Sequence, residues 1–226
     1  MVTPVQLPPE ERLLNQLEER GIRPADIETV IISHFHADHI AGLRDFAEAR
    51  FIATRAELAR STARGRLGRL QKAFLRDLLP PDFESRLIPA ESTTKLPLGP
   101  QWHPFEDAYD LLGDQSILGI DLPGHTASQL GLTFSTSDKG TVFLIADACW
   151  KIEGLQQDLK PSRLAYLLFD NSQAYNKTFS DLRTLEMSEN GPTIIPSHCA
   201  TTWKQLGNTR TIDRSRGNEP HPSATS

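Results

Sequence analysis

Seven residues of this chain carry metal-binding side chains and sit where short apolar runs end. The stretch VIISHFHADHI places His34, His36, Asp38 and His39 within six positions. LGIDLPG leads to His125, VFLIA to Asp147 and IIPS to His198. Five of the seven histidines in the chain belong to this set. His34 and His36 are two apart, so in locally extended backbone both imidazoles leave from one side. Asp38 continues that spacing, and His39 turns to the other side as a helix begins. Imidazole and carboxylate donors without a thiolate suit zinc, and also iron, manganese or cobalt. A set this large can be divided between two ions. One histidine at a strand end is ordinary, but five histidines and two aspartates, each at a strand end, are not. His103 and His221 lie in proline-rich irregular segments and read as ordinary residues. Cys149 and Cys199 flank candidate ligands and read as buried small side chains.

The elements that must position these residues follow from hydrophobic pattern and punctuation. PPEERLLNQLEERGI predicts a first helix with Leu13, Leu14 and Leu17 on one face and Gly21 as its stop. TVIIS predicts a buried strand that ends where the histidines begin, and HIAGLRDF a helix opening. RFIAT is a second strand. Residues 55 to 79 read as a charged, loosely amphipathic helix stopped by Pro80 and Pro81. Residues 81 to 108 read as a long loop region around one strand, SRLIP. SILGIDL is a strand before a Pro-Gly turn. QLGLTFS and TVFLIADAC flank TSDKG as a hairpin. NSQAYNKTFSDLRTLEMSEN predicts a helix with Phe179, Leu182 and Leu185 on one face and Gly191 as its stop, and TIIPSHC a last strand. Alternating strands and helices with one hairpin argue an α/β fold with a mixed sheet. In such folds strand ends meet at one edge, where ligand sites form. We expect one domain over residues 1–208 and a disordered polar tail over 209–226.

Composition narrows the function classes. The chain has 226 residues, a net charge of −5, 38% hydrophobic and 23% charged residues, and two cysteines. No basic run points to nucleic acid. The arginines of ARSTARGRLGRLQK and RTIDRSRG read as a solvated helix face and part of the polar tail. No apolar stretch approaches the roughly 18 residues of a membrane span. MVTPVQLPPEERLL lacks the pattern of a signal peptide. A cytoplasmic protein is the expectation, without nucleic-acid or membrane partners.

SHFHADH resembles the H-x-H-x-D-H signature of the metallo-β-lactamase superfamily. PGHT, ADAC and PSHC follow in the order of its later ligand motifs, and the resemblance spans roughly residues 10 to 205. It implies a four-layer αβ/βα sandwich. It also implies two divalent metal ions, zinc foremost, one held by His34, His36 and His125, the other by Asp38, His39 and His198. Asp147 would bridge them. By the same analogy a metal-bridging hydroxide attacks the carbonyl, and Asp38 is also a catalytic proton carrier.

Asp147 stands where classical zinc β-lactamases of the family carry cysteine. LLNQLEERGIRPADIETVIISHFHADH and YDLLGDQSILGIDLPGHTASQLGL are similar to the N-acyl homoserine lactonase branch. The resemblance therefore implies a hydrolase of a small-molecule ester or lactone. A thioesterase or a β-lactamase-like hydrolase is the near alternative, and a truncated metal-binding protein with little activity the more distant one. Di-iron redox relatives work with a flavin domain that does not fit in this chain. Trp150 replaces the tyrosine that lactonases of this branch carry three residues after the bridging aspartate. An indole N–H donates one hydrogen bond and accepts no proton, so Trp150 is expected either to contact substrate or to form an apolar lid. Tyr109 and Tyr166 are alternative phenols. The segment before His34 holds one recognisable helix and one strand, fewer than the family usually carries. The expectation is a first sheet short of strands, covered by a second copy in a homo-oligomer, completed by sequence upstream of Met1, or left open in a degenerate copy.

Overall fold

The structure, a computed structural model, describes residues 7–63, 74–162 and 164–207. Among these, nine strands form two sheets. The first sheet holds β1 (Thr29–Ile31), β2 (Arg50–Ala53) and β3 (Leu87–Pro89), all parallel, in that order. The second runs β4 (Thr94–Pro97), β5 (Asp107–Asp110), β6 (Leu118–Asp121), β7 (Leu130–Thr136), β8 (Gly140–Ala146) and β9 (Thr193–Pro196) in chain order. Its neighbours are antiparallel except β8 and β9. A parallel pair needs a crossover, and α5 (Ile152–Gln156) and α6 (Ser172–Glu186) supply it. Four further helices are α1 (Leu13–Glu19), α2 (Ala37–Ile40), α3 (Arg55–Ala63) and α4 (Phe83–Arg86), and α7 (Ala200–Gly207) follows β9.

Strand alternation builds the layers. In β2, Phe51 and Ala53 join Ile40, Leu43, Leu58 and Phe83 in a core under the helices, while Ile52 points the other way. Ile52 meets Leu111 and Leu130 between the sheets. On the far side, Phe143 and Ile145 of β8 pack on Ile152, Leu155, Tyr175, Phe179, Leu182 and Leu185. The last four recur at helical spacing on α6. Asn171 starts α6 by accepting from the N–H groups of Gln173 and Ala174, each at 3.0 Å, an N-cap worth about 1 kcal/mol. Helix, sheet, sheet, helix is the four-layer sandwich expected, with three strands in its first sheet.

Several local expectations change. β1 is half-buried rather than buried, because it forms the edge of the described first sheet. The segment 81 to 108 is not one long loop around a strand, since it also holds α4, β4 and the first residues of β5. Pro97 is compatible with β4 because β4 is an edge strand. Helix α6 ends at Glu186, where the Met187 N–H closes on Arg183 and Leu185, and Gly191 lies beyond it. α1 forms as expected with Gly21 in the left-handed region, but none of its residues is buried. Of the helix expected over residues 55 to 79, α3 and a short 3-10 turn are seen, and residues 64–73 lie outside the described residues, as do the polar tail and His221. No helix of the described residues is long and apolar enough to cross a membrane.

One side chain secures the loop that feeds β2. Arg86 Nη1 donates to the carbonyls of Phe46, Ala47 and Ala49 at 2.9, 2.8 and 2.8 Å. Nη2 donates to Asp82, and the guanidinium lies 4.6 Å over the Phe51 ring. Arg86→Ala leaves the part-buried Phe46 and Ala49 carbonyls without their charged donor, which should cost about 3 kcal/mol. A lowered urea midpoint is the expected reading, and an unchanged midpoint would show that other contacts hold the loop.

Candidate metal centre

The centre sits where the two sheets meet at their strand ends. After β1 the chain leaves the first sheet: Ile32 N–H donates to Ile52, and the Ser33 carbonyl then accepts from Leu130 N–H of β7 at 2.9 Å. Phe35 turns into the helical core, edge-on to Phe74 and Phe83. His34 and His36, on either side of it, share the opposite face. Asp38 and His39 come from the first turn of α2.

His125 follows β6 through Pro123 and Gly124. Gly124 has φ +130°, and a Cβ there would collide with the backbone of Tyr175, so the turn requires glycine. Its carbonyl accepts from the N–H groups of Asp170 and Asn171, each at 3.1 Å, which ties the His125 turn to the start of α6. Asp147 follows β8 after an irregularity in its pairing with β9, and Ala146 is held at φ +46°. That conformation costs a non-glycine residue about 1–3 kcal/mol. Asp147 N–H donates to Gln129 Oε1 at 3.3 Å, and Gln129 Nε2 donates to Ile145. His198 leaves β9, where Ser197 N–H donates to Ala146.

All seven predicted residues converge in two groups. In the first, His34 Nε2 lies 3.2 Å from His36 Nδ1, which lies 3.0 Å from His125 Nε2. His125 Nε2 is 3.4 Å from Asp147 Oδ2. In the second, Asp38 Oδ2 is 3.6 Å from both His39 Nε2 and His198 Nε2. Those two nitrogens are each 3.3 Å from Asp147 Oδ1. Each oxygen of one carboxylate thus faces one group.

The donor chemistry fits cations. Burial pushes the His125 imidazole down to about 4 and His34 well below its ordinary value, with neighbouring histidines adding to both. Burial also lowers His36, against the pull of Asp147 and Asp38. These three rings are neutral near pH 7, the state in which an imidazole nitrogen can bind a cation. Burial works against the charge on Asp147, but His39, His125 and His198 outweigh it and hold its carboxyl low. Burial likewise opposes protonation of His39, and Asp147 and Asp38 still leave it raised. His39 Nε2 and Asp147 Oδ1 attract at 3.3 Å but miss hydrogen-bond alignment, so both remain buried without a proper partner, as does His125 Nδ1. Tetrahedral ligands 2.0–2.1 Å from zinc are spaced by about 3.3 Å, the spacing of these donors. Mutually facing donors at that spacing, with His39 Nε2 and Asp147 Oδ1 buried and lacking a partner, fit a divalent ion in each group.

Trp150 is partly buried against this cluster, its ring 6.4 Å from His125 and 6.1 Å from Phe169. The alternative phenols do not enter it: Tyr109 donates to Asp121 and Tyr166 to Asn176. Cys149 and Cys199 are free and buried. Gln129 and Glu57, both buried next to the ligand loops, were not singled out from sequence. The clue to Gln129 was a polar residue opening the apolar run QLGL.

A family model described as the metallo-beta-lactamase superfamily matches residues 4–144. The N-acyl homoserine lactonase AttM of Azorhizobium caulinodans is 25% identical over 199 residues, 86% of this chain and 66% of that protein. The N-acyl homoserine lactonase AiiB of Agrobacterium fabrum is 27% identical over 180 residues, 76% of this chain and 56% of that one. A B. thuringiensis AiiA variant with N-decanoyl-L-homoserine bound at its active site superposes with a TM-score of 0.62 at 20% identity, over 87% of this chain and 66% of that one. AidC, a dizinc quorum-quenching lactonase, gives 0.59 at 16%, over 83% of this chain and 63% of that one. The chain spans less than two thirds of the length of these relatives. The family match covers well over half of the chain and includes the strand end that carries His34, His36, Asp38 and His39; this chain belongs to the metallo-beta-lactamase superfamily.

Proposed function

We propose that the chain is a metal-dependent hydrolase that opens a small lactone or ester at a two-ion site. The observation that carries this reading is the Asp147 carboxylate, which turns one oxygen to each donor group. His34, His36 and His125 would hold one ion and Asp38, His39 and His198 the other, with Asp147 placed to serve both. Two such cations, zinc foremost, supply an acidified water as nucleophile near neutral pH and polarise the carbonyl. The lactonase relatives point to the substrate class.

The chain's own residues divide the remaining work. Lactone opening adds water across the acyl C–O bond, so the nucleophile loses a proton and the departing ring oxygen gains one. The Asp38 side chain is 60% exposed while its Oδ2 faces His39 and His198. It can therefore reach substrate and carry that proton. Buried Phe169 and the Trp150 ring wall the His125 side and exclude water there. Trp150 offers its single indole N–H to a substrate oxygen. It also lines a mostly apolar cavity of about 220 Å³ with Leu159, Pro161, Tyr175 and Phe179. That cavity suits an acyl chain lying beyond the scissile ring. A second reading, a metal-binding protein with little turnover, is favoured by the open edge at β1, beside which no strand pairs among the described residues.

Metal analysis of the purified chain should find two divalent ions per molecule. Hydrolysis of a homoserine lactone should disappear on chelation and return with zinc. Asp147→Asn should lose at least one ion and lower kcat/KM by on the order of 100-fold. Two bound ions without turnover of any lactone, ester or thioester would leave the second reading standing. Leu159→Asp places a charge in the apolar cavity. It should raise KM for long-chain acyl lactones by about tenfold, the loss of one to two buried methylenes, and spare short-chain ones. Equal effects on both lengths would remove the cavity from the substrate path.

A further inference from the structure

Glu57 is a charged residue in a place where charge is costly. It lies on α3, outside both donor groups, and is 3% exposed. Its Oε2 accepts from the Ser128 N–H at 3.2 Å. The Phe35 N–H and the Thr126 hydroxyl also face the carboxylate and favour its charged form, against a burial that raises it. The Thr126 hydroxyl is buried with no well-aligned partner of its own. Thr54, at the head of α3, accepts from the Glu57 N–H and donates its hydroxyl to the Ser128 carbonyl at 3.0 Å.

The residues that Glu57 faces are placed around one half of the centre. Phe35 stands between His34 and His36. Thr126 and Ser128 follow His125. These two loops come from different sheets, one after β1 and the other between β6 and β7. Their histidine nitrogens must nevertheless stay about 3 Å apart. Glu57 faces both loops with one carboxylate. An apolar side chain there would leave the Ser128 N–H buried and unpaired.

We propose that Glu57 is a positioning residue for the His34, His36 and His125 half of the centre, holding the two loops in the register that one ion needs. This inference rests on the two-ion reading. Groups that orient ligands from behind typically change metal affinity by about 10–100-fold when removed.

The test is titration of the full metal-free chain with cobalt against a competing chelator, with visible absorption recorded throughout. His125→Ala identifies which of the two binding constants belongs to the three-histidine half. Glu57→Ala should weaken that ion by about 10–100-fold, alter its absorption and leave the other ion near its wild-type affinity. Glu57→Gln fills the same space and can still accept from Ser128. Its amide turns a donor toward Phe35 N–H, so it should weaken the same ion by a smaller factor. Two results overturn the proposal. One is wild-type affinity for both ions in the Gln variant. The other is equal loss at both ions in the Ala variant, with a matching fall in the melting temperature of the metal-free chain. Ion binding rather than turnover is read, so a failure of the lactone assignment is distinguishable from a failure here.

Discussion

Everything at this centre depends on keeping one carboxylate ionised inside the protein. Burying Asp147 away from water disfavours its charge. Only a ring of positive or polarisable neighbours makes that burial tolerable, and His39, His125 and His198 surround it. Burial, with repulsion from the neighbouring histidines added, holds His34 and His125 neutral. An anion flanked by neutral lone pairs is an incomplete electrostatic arrangement. Divalent metal would complete it, since His39 Nε2 and Asp147 Oδ1 face each other without a proper partner.

Convergence on that carboxylate sets the demands on the scaffold. The seven donors leave four strand ends belonging to two sheets, and a shift of one residue in any strand would turn its donor away. The fold answers with rigid departures from the strands. Gly124 takes a conformation and a closeness to Tyr175 that only glycine permits. Ala146 takes a left-handed backbone at the irregular end of β8. Strain of this kind persists where the surroundings determine the backbone strongly, and here Gln129, Ser197 and the start of α6 do so.

The candidate site was far more legible in sequence than the scaffold. Ligating residue types are rare and their spacing is informative, so His34, His36, Asp38 and His39 were readable before any element was placed. The apolar runs before His125, Asp147 and His198 fixed β6, β8 and β9, because β6 and β8 are central and β9, although at the edge, is buried over Ile194, Ile195 and Pro196. Strands β4 and β5 were missed for the opposite reason. TKLP is a partly exposed edge strand containing proline and lysine, and DAYD carries two aspartates. Glu57 was invisible because RAELARSTA has charged residues around the helix, and periodicity cannot tell which of them turns inward. Gly191 looked like a helix stop, but the helix closes one turn earlier on its own backbone.

The half-buried edge at β1 bears on how much of the centre the described residues can hold by themselves. The segment carrying His34 and His36 draws no hydrogen bond from beyond β1 among the described contacts. Ile32 bonds to β2, Ser33 accepts from β7, Phe35 is locked among Phe74 and Phe83, and Glu57 faces the loop from α3. Further strands added beside β1 would cover apolar surface and satisfy an exposed edge, while these supports come from β2, β7, α3 and the helical core. Placement of the donors therefore rests on β2 and the helical core of the first sheet rather than on the outer edge of β1. A centre anchored on β2, β7 and α3 keeps its geometry as long as the interface between the sheets, built on Ile52, Leu111 and Leu130, remains packed.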